Sequence, residues 1–283
     1  MRFTGKKQKK MIEQIRAAAL NFLFPPKCIL CSAFINTGQN RADIFRKPIP
    51  DSKNLAEVFT KLIQSYVCKN CISELKSVRH PICPVCGEMF QSRADEDHLC
   101  KRCIKTDRNF TKARAGGVYA GILKSLIHQL KYGKKITSAK PLSVFLFYSY
   151  LKFFKEKDFD YITPLPLHIK KAKKRGFNQS YFLVKYWGKT AKNFKIKIPE
   201  IRLNIIEKQK NTPPQAGLSA DKREKNIKNS FAVKDAHKVY GKNFLIIDDV
   251  VTTGATINEC AKVLKKAGAK RIDALSLARS IIL

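Results

Sequence analysis

Phe244-Leu-Ile-Ile-Asp-Asp-Val-Val-Thr-Thr-Gly-Ala-Thr256 is the stretch around which this chain is organised. An apolar run, two adjacent carboxylates and a hydroxyl-rich turn before a helical pattern predict a buried strand with polar groups at its C-terminal end. Backbone N–H groups in a Thr/Gly turn at a helix N-terminus form an anion cradle. Acids one step earlier can accept hydrogen bonds from sugar hydroxyls. The stretch therefore reads as a place to hold a sugar and a phosphate.

Downstream, Ile257, Cys260, Ala261, Leu264 and Ala267 recur at helical spacing, and Gly268 stands where a left-handed C-terminal cap belongs. Cys260 falls on the apolar stripe and is expected to pack rather than react. Lys270 to Leu277 is expected to close the sheet. Upstream, Ser230 to Val233 reads as a strand fragment, Asp221 to Asn229 as a charged helix, and Lys208 to Asp221 as a loop by composition, a candidate lid.

From Thr111 strands and helices alternate, which predicts an α/β fold with a mostly parallel sheet covered on both faces. Lys112 to Tyr119 is the first strand. Gly121 to Tyr132 is a helix with Ile122, Leu126, Ile127 and Leu130 toward the core and His128 read as packing. Pro141 to Phe154 is a second, strongly apolar helix. The strand Asp158 to Leu167 is stopped by Pro164 and Pro166, and Lys170, Lys171, Lys173, Lys174 and Arg175 follow at once. Such a cluster suits a multiply charged phosphate, or is a solvated basic loop. Asn178 to Lys189 is helical. Gly188-Lys-Thr190 is not a phosphate-binding P-loop, because Leu183 stands where that motif needs glycine.

Eight of the nine cysteines lie between Cys28 and Cys103, as the pairs Cys28/Cys31, Cys68/Cys71, Cys83/Cys86 and Cys100/Cys103. A two-residue spacer lets both sulfurs of a pair face one ion, and two pairs complete a tetrahedral thiolate shell, so two structural zinc sites are expected. Sequential pairing of the knuckles is preferred, helped by Gly87 after Cys86; a cross-braced arrangement is the alternative. His80 and His98 could replace a ligand, but with eight cysteines they read as loop residues. Composition divides the chain into a basic N-terminal helix over 1–27, a double zinc-ribbon domain over 28–105 and an α/β domain over 106–283. An insertion over 33–67 carries a short helix from Asn54 to Tyr66, and its role is not readable.

The chain of 283 residues holds 56 Lys and Arg against 22 Asp and Glu, a formal net charge of +34. That excess favours polyanionic partners such as nucleic acid; the alternative is a set of solvated lysine faces, since the lysines are spread along the whole chain. A membrane span needs ~20 apolar residues. The best run, Val144 to Phe154, is too short and contains Lys152, so no transmembrane segment is expected. Met1 to Phe24 resembles a signal peptide in its basic start. The Pro25-Pro26-Lys27-Cys28 that follows and the thiol spacing argue instead for an uncleaved amphipathic helix in the cytoplasm, with a membrane-surface role open.

Ile247-Asp-Asp-Val-Val-Thr-Thr-Gly-Ala-Thr256 resembles the phosphoribosyl pyrophosphate (PRPP) signature of type I phosphoribosyltransferases. With the four knuckles, Arg175-Gly-Phe-Asn-Gln179 and Pro214-Gln-Ala-Gly-Leu218, the chain from about Leu20 is similar to the ComF family of competence proteins. The resemblance implies that Asp248 and Asp249 accept the ribose hydroxyls, and that Thr252, Thr253, Gly254, Ala255 and Thr256 wrap the 5′-phosphate. The segment from Pro166 through Lys170, Lys171 and Arg175 would face the pyrophosphate, and Thr212, Gln215 and Arg223 match the lid. Mg²⁺ would bind with PRPP, bridging its oxygens. The long insertion departs from the family pattern.

Two function classes follow. In the first, implied by the family, the protein binds PRPP and handles incoming single-stranded DNA in the cytoplasm, with other DNA-uptake proteins at the inner face of the membrane as further partners. In the second it is an active phosphoribosyltransferase passing the ribose to a nucleobase or amine; no acceptor pocket and no lid carboxylate are legible for that chemistry. A receiver domain using Asp248 and Asp249 would need its acids near a domain start, and here the chain ends soon after them.

Overall fold

The computed structural model describes residues 23–35, 55–90, 96–133, 136–213 and 219–281, together with residues 8, 11, 12, 15 and 19. Most of the basic N-terminal segment, residues 36–54 of the insertion and Gln215 lie outside them.

Five parallel strands make the main sheet: β1 (Lys112–Val118), β2 (Tyr161–Pro164), β3 (Glu200–Ile201), β6 (Asn243–Val251) and β7 (Arg271–Arg279). Their spatial order is β1-β7-β6-β2-β3. The last strand in sequence is thus the second in space, inserted between β1 and β6, and does not close an edge. Both faces of β6 are buried, as its continuous apolar run requires. Leu245 and Ile247 join one half of the core and Phe244 and Ile246 the other.

On the first face lie α4 (Gly121–Tyr132), α5 (Ala139–Phe154), α7 (Gln179–Val184) and α8 (Trp187–Asn193). Trp187 is fully buried there, donating from Nε1 to Ser143 O at 3.2 Å, with its ring against Phe147 and Tyr150. The helix expected over Asn178 to Lys189 is two helices, broken at Lys185 and Tyr186. Gly188 to Thr190 sit inside α8, far from any phosphate-loop geometry. On the other face lies α10 (Ala255–Lys266), with Cys260 fully buried as its stripe predicts.

A second, two-stranded antiparallel sheet pairs β4 (Ile206–Lys208) with β5 (Phe231–Val233). The sequence showed a loop where β4 ends and did not show β3 or β4, since strands of two or three residues carry no periodicity to read. The helix α9 (Ala220–Ile227) crosses from this hairpin toward α10.

The cysteine region wraps the free edge of β1. Val118 N donates to Lys76 O, Ala113 N donates to Val85 O, and Ser77 bridges Gly117. An unpaired strand edge is thereby covered. In the insertion, the helix α1 (Leu55–Gln64) buries Phe59 and Leu62 on α5, with the Phe59 ring 5.9 Å from Phe147, 5.6 Å from Tyr148 and 5.7 Å from Phe194. That part of the insertion is a piece of the sheet's cover.

Candidate functional site

Asp248 and Asp249 end the apolar run of β6 and occupy different surroundings. Asp249 is 4% exposed, and its Oδ2 lies 2.9 Å from Lys131 Nζ, the next-to-last residue of α4. Burial by itself would lower the Lys131 ammonium, but the Asp249 carboxylate beside it holds it above its ordinary value. Asp248 accepts from Asp249 N at 2.8 Å. Burial, and then the charge of Asp249, push its carboxyl up to about 7, with Lys131 and Lys208 opposing.

The turn that follows is built for close approach. Gly254 has φ +78, the left-handed region that a residue with Cβ enters at a cost, and α10 starts on it. Thr253 is buried, and its Oγ1 accepts from Ala255 N at 3.3 Å. From the other side Asn258 Oδ1 accepts from Asn109 N at 2.8 Å. The backbone N–H groups of a 12-residue helix therefore open directly beyond the two acids.

The basic cluster after Pro166 is a helix, not a loop. In α6 (Ile169–Arg175) His168 caps the start, its Nδ1 accepting from Lys170 N at 3.2 Å, and Gly176 at φ +83 ends it. Helical spacing sorts the cations. Lys171 and Arg175, four apart, are half-buried on one face, while Lys170, Lys173 and Lys174 are exposed. Arg175 lies over the ring of Tyr132, 5.6 Å from its centroid, and donates to Gln179 Oε1. The next residue back from Tyr132 is Lys131, so α4 and α6 meet beside Asp249. Pro166 is half-buried, following Leu165, whose N donates to Ile247 O at 2.9 Å. Leu165 O in turn accepts from Asn178 Nδ2 at 3.0 Å.

The hairpin adds Lys208 at the end of β4. Burial, and then the charge of Lys171, lower its ammonium to about 8, and Asp248 opposes them. Asp249 is thus met by Lys131 from α4 and Asp248 faces the charge of Lys208, while Lys171 of α6 lies next to Lys208 and Arg175 rests on Tyr132. Lys131 was not singled out in the sequence, although one signal was present: it directly follows Leu130, the last residue of the buried stripe of α4. Lys208 stood only as the start of a loop. The lid residues are placed less tightly. Thr212 is 5% exposed just beyond β4 and Arg223 is half-buried on α9. Asn226 Nδ2 donating to Pro213 O at 3.3 Å ties α9 to that segment.

The cysteines form two groups, Cys28/Cys31/Cys68/Cys71 and Cys83/Cys86/Cys100/Cys103, with sulfurs within 4.8 Å of one another in each. Pairing is sequential. A tetrahedral zinc–thiolate shell has sulfurs ~3.8 Å apart. Sγ separations of 3.9 Å for Cys28 and Cys71, 3.6 Å for Cys31 and Cys68, and 3.6 Å for Cys86 and Cys100 fit that shell. Within each group one thiol is lowered while neighbours are raised, with burial the largest cause for Cys71 in the first and for Cys86 and Cys100 in the second. Against the burial that would raise it, backbone N–H groups draw the Cys28 thiol down to about 6 and the Cys83 thiol to about 7. Short helices start on the knuckles: α2 (Lys69–Ser73) on Cys68 and α3 (Lys101–Lys105) on Cys100. His80 and His98 are not ligands: His80 Nδ1 is 2.8 Å from Asp97 Oδ1, and His98 stacks on Phe90. His128, expected to pack in the core, is exposed and lies against the Tyr132 ring.

A parallel sheet with acids and a glycine turn at the end of its central strands defines a phosphoribosyltransferase-type domain, and the phosphoribosyl transferase domain model matches residues 186–281. Over 227 residues the chain is 30% identical to the DNA utilization protein YhgH of Escherichia coli (strain K12), covering 76% of this chain and 91% of that protein. It is 29% identical over 218 residues to Competence protein F of Haemophilus influenzae, covering 76% and 90%. It is 26% identical over 221 residues to Competence protein ComFC of Bacillus subtilis, covering 76% and 84%. The chain belongs to the ComF family of competence and DNA-utilization proteins. Among the described residues, no helix is long and apolar enough to cross a membrane.

Proposed function

We propose that this protein binds PRPP and handles incoming single-stranded DNA in the cytoplasm during DNA uptake. One observation carries the ligand: two carboxylates beside a glycine turn at a helix N-terminus, with Lys131 paired to Asp249, Lys208 in the field of Asp248, and Lys171 beside Lys208. A ligand with hydroxyls in its middle and phosphate at both ends matches that order of charges. Asp248 and Asp249 would take the ribose hydroxyls, the Thr252–Thr256 turn the 5′-phosphate, and Lys171 with Arg175 the pyrophosphate. Mg²⁺ would enter with PRPP and offset the charge of its phosphates. Zinc would occupy both four-cysteine groups. In this reading the chain comprises a helix over 1–27, a cysteine domain over 28–105 and the ligand-binding domain over 106–283. DNA handling is supported by the names of the relatives and by the net charge of +34.

A second reading, transfer of the ribose to a nucleobase or amine, is supported by the neighbouring cations Lys171 and Lys208 on the side of Asp248. They would stabilise charge developing on a leaving pyrophosphate as the bond to C1 of the ribose breaks.

Calorimetry with Mg-PRPP on the native chain and on Asp248→Ala/Asp249→Ala, with single-stranded DNA binding measured on the same samples, tests both parts. A loss of PRPP affinity of about 100-fold is expected, at roughly 1.4 kcal/mol per tenfold. Equal affinity in the two proteins overturns the site assignment. No DNA binding at low salt overturns the nucleic-acid part, and pyrophosphate release with a nucleobase present would establish the transfer reading instead.

A further inference from the structure

The second four-cysteine group meets the end of β7 at the side chain of Arg279. Arg279 closes that strand and is 2% exposed. Its Nη1 donates to Cys86 O at 2.6 Å, while Nη2 lies 3.6 Å from Cys86 Sγ and 3.5 Å from Glu88 Oε2. In the sheet Arg279 is in register with Val251, the last residue of β6 before Thr252. Ser280 N donates to Val251 O at 2.9 Å, so both ends of that short link are pinned. A second connection leaves the same region. Asn109, six residues after Cys103, is bonded to Asn258 on α10 at 2.8 Å through N and 3.3 Å through Nδ2. The neighbouring ring of Phe110 lies 4.0 Å from where a side chain on Gly254 would begin.

The first four-cysteine group is placed differently. Cys28 packs in the other half of the core with Val67, Phe59 and the α5 residues, and Cys31 is exposed. One group therefore abuts the turn and the other covers the opposite face of the sheet.

We propose that Arg279 is a positioning residue coupling the second four-cysteine group to the phosphate cradle, so that metal occupancy there sets the affinity of the Thr252–Thr256 turn for its ligand. The inference rests on the zinc and PRPP readings above. Four thiolates around one divalent cation carry a net charge of −2, and the buried guanidinium is the counter-charge in contact with them. Loss of the metal frees the knuckle that holds Cys86 O and Sγ against the guanidinium and leaves Arg279 with Glu88, which it shares with Arg102 at 3.5 Å. A buried charge short of partners moves toward water. The strand end it terminates moves with it, and Val251 is bonded to that end. By linkage the coupling is reciprocal: a ligand in the cradle must also hold the metal more tightly.

The test is metal release from the zinc-loaded full chain to a coloured chelator, with and without saturating Mg-PRPP, beside calorimetry of the same ligand. Two phases are expected, a fast one from the group containing exposed Cys31 and a slow one from the buried group. Cys31→Ala should remove the fast phase and so identify it. Mg-PRPP should slow the slow phase by about tenfold, within the usual span of coupling energies, and leave the fast phase unchanged. In Arg279→Gln the slowing should disappear and PRPP affinity should fall by about the same factor, with Arg279→Lys recovering part of both. Slowing of both phases, or of neither, in a native protein that calorimetry shows to bind PRPP overturns the coupling and leaves the ligand reading intact. Absence of PRPP binding to the native protein overturns both. The native release experiment decides the matter even where Arg279→Gln does not fold.

Discussion

Asp248 and Asp249 are adjacent in sequence and answer to different neighbours, which makes their substitutions distinguishable. The Asp248 carboxyl is pushed up to about 7 by burial and by Asp249, so the folded chain holds that proton more tightly than the unfolded one. Its contribution to stability is complete below the ordinary carboxylate range and is lost as pH rises through about 7. Asp248→Asn should therefore stabilise the ligand-free protein at pH ~8 by about 1–3 kcal/mol and change little at pH ~4, while abolishing ligand binding. Denaturant unfolding at both pH values checks this, and an unchanged pH profile would refute it. Lys131→Met should cost about 3 kcal/mol or more, because it leaves Asp249 buried without its cation. Lys131→Met/Asp249→Asn should recover part of that loss, and a double-mutant cycle in urea measures the coupling. For Lys208, lowered to about 8 first by burial and then by Lys171, the charge is lost as pH rises past that value. Pyrophosphate affinity should fall between pH ~7 and ~9, and Lys208→Gln should remove that dependence.

The elements explain how much of this site a reader of the sequence can find. Long elements with a clear period were legible: α4 has the bounds its stripe implies, and α10 carries Cys260 and the Gly268 cap where the spacing puts them. Gly268 has φ +85, and a side chain there would meet the Tyr240 ring at 2.5 Å, so Gly268→Ala should cost at least about 1 kcal/mol in thermal or urea unfolding. The basic stretch after Pro166 was legible as charge but not as shape. Lysine and arginine are good helix formers, and with His168 as cap and Gly176 as stop they make one helical face of Lys171 and Arg175. Composition alone does not separate that face from the exposed Lys170, Lys173 and Lys174. β3 and β4 are held by pairing with distant strands, and no window of sequence contains those partners.

At the scale of the molecule, one sheet is clad on each face by a core half; one includes Cys28 with Cys68 and Cys71 against it, the other Cys83, Cys86 and Cys100 with Cys103 against it. Stripping the metals should therefore loosen both faces. Chelation under reducing conditions is expected to lower the melting temperature by well over 10 °C, given on the order of 10 kcal/mol of folding energy per structural zinc. Calorimetric melting before and after zinc is restored checks it. The excess of cations acts at the same scale. If single-stranded DNA is gripped by its backbone, the logarithm of affinity should fall with the logarithm of salt by about 0.7 per phosphate contacted, and a slope near zero would count against that grip.

By itself the sequence determined the elements whose signals are local: the buried strand Phe244 to Val251, its acids, the glycine turn, the helices with apolar stripes and the four knuckles, because periodicity, capping and metal-ligand spacing act over a few residues. Only the tertiary structure decided that β7 lies between β1 and β6, that Lys131 and Lys208 reach the two acids, and that Arg279 meets Cys86. Those contacts join residues from 40 to 193 positions apart, or strands far separated along the chain, and they are selected by how the packed layers bury their surfaces. A buried charge is paired by whatever cation the packing delivers.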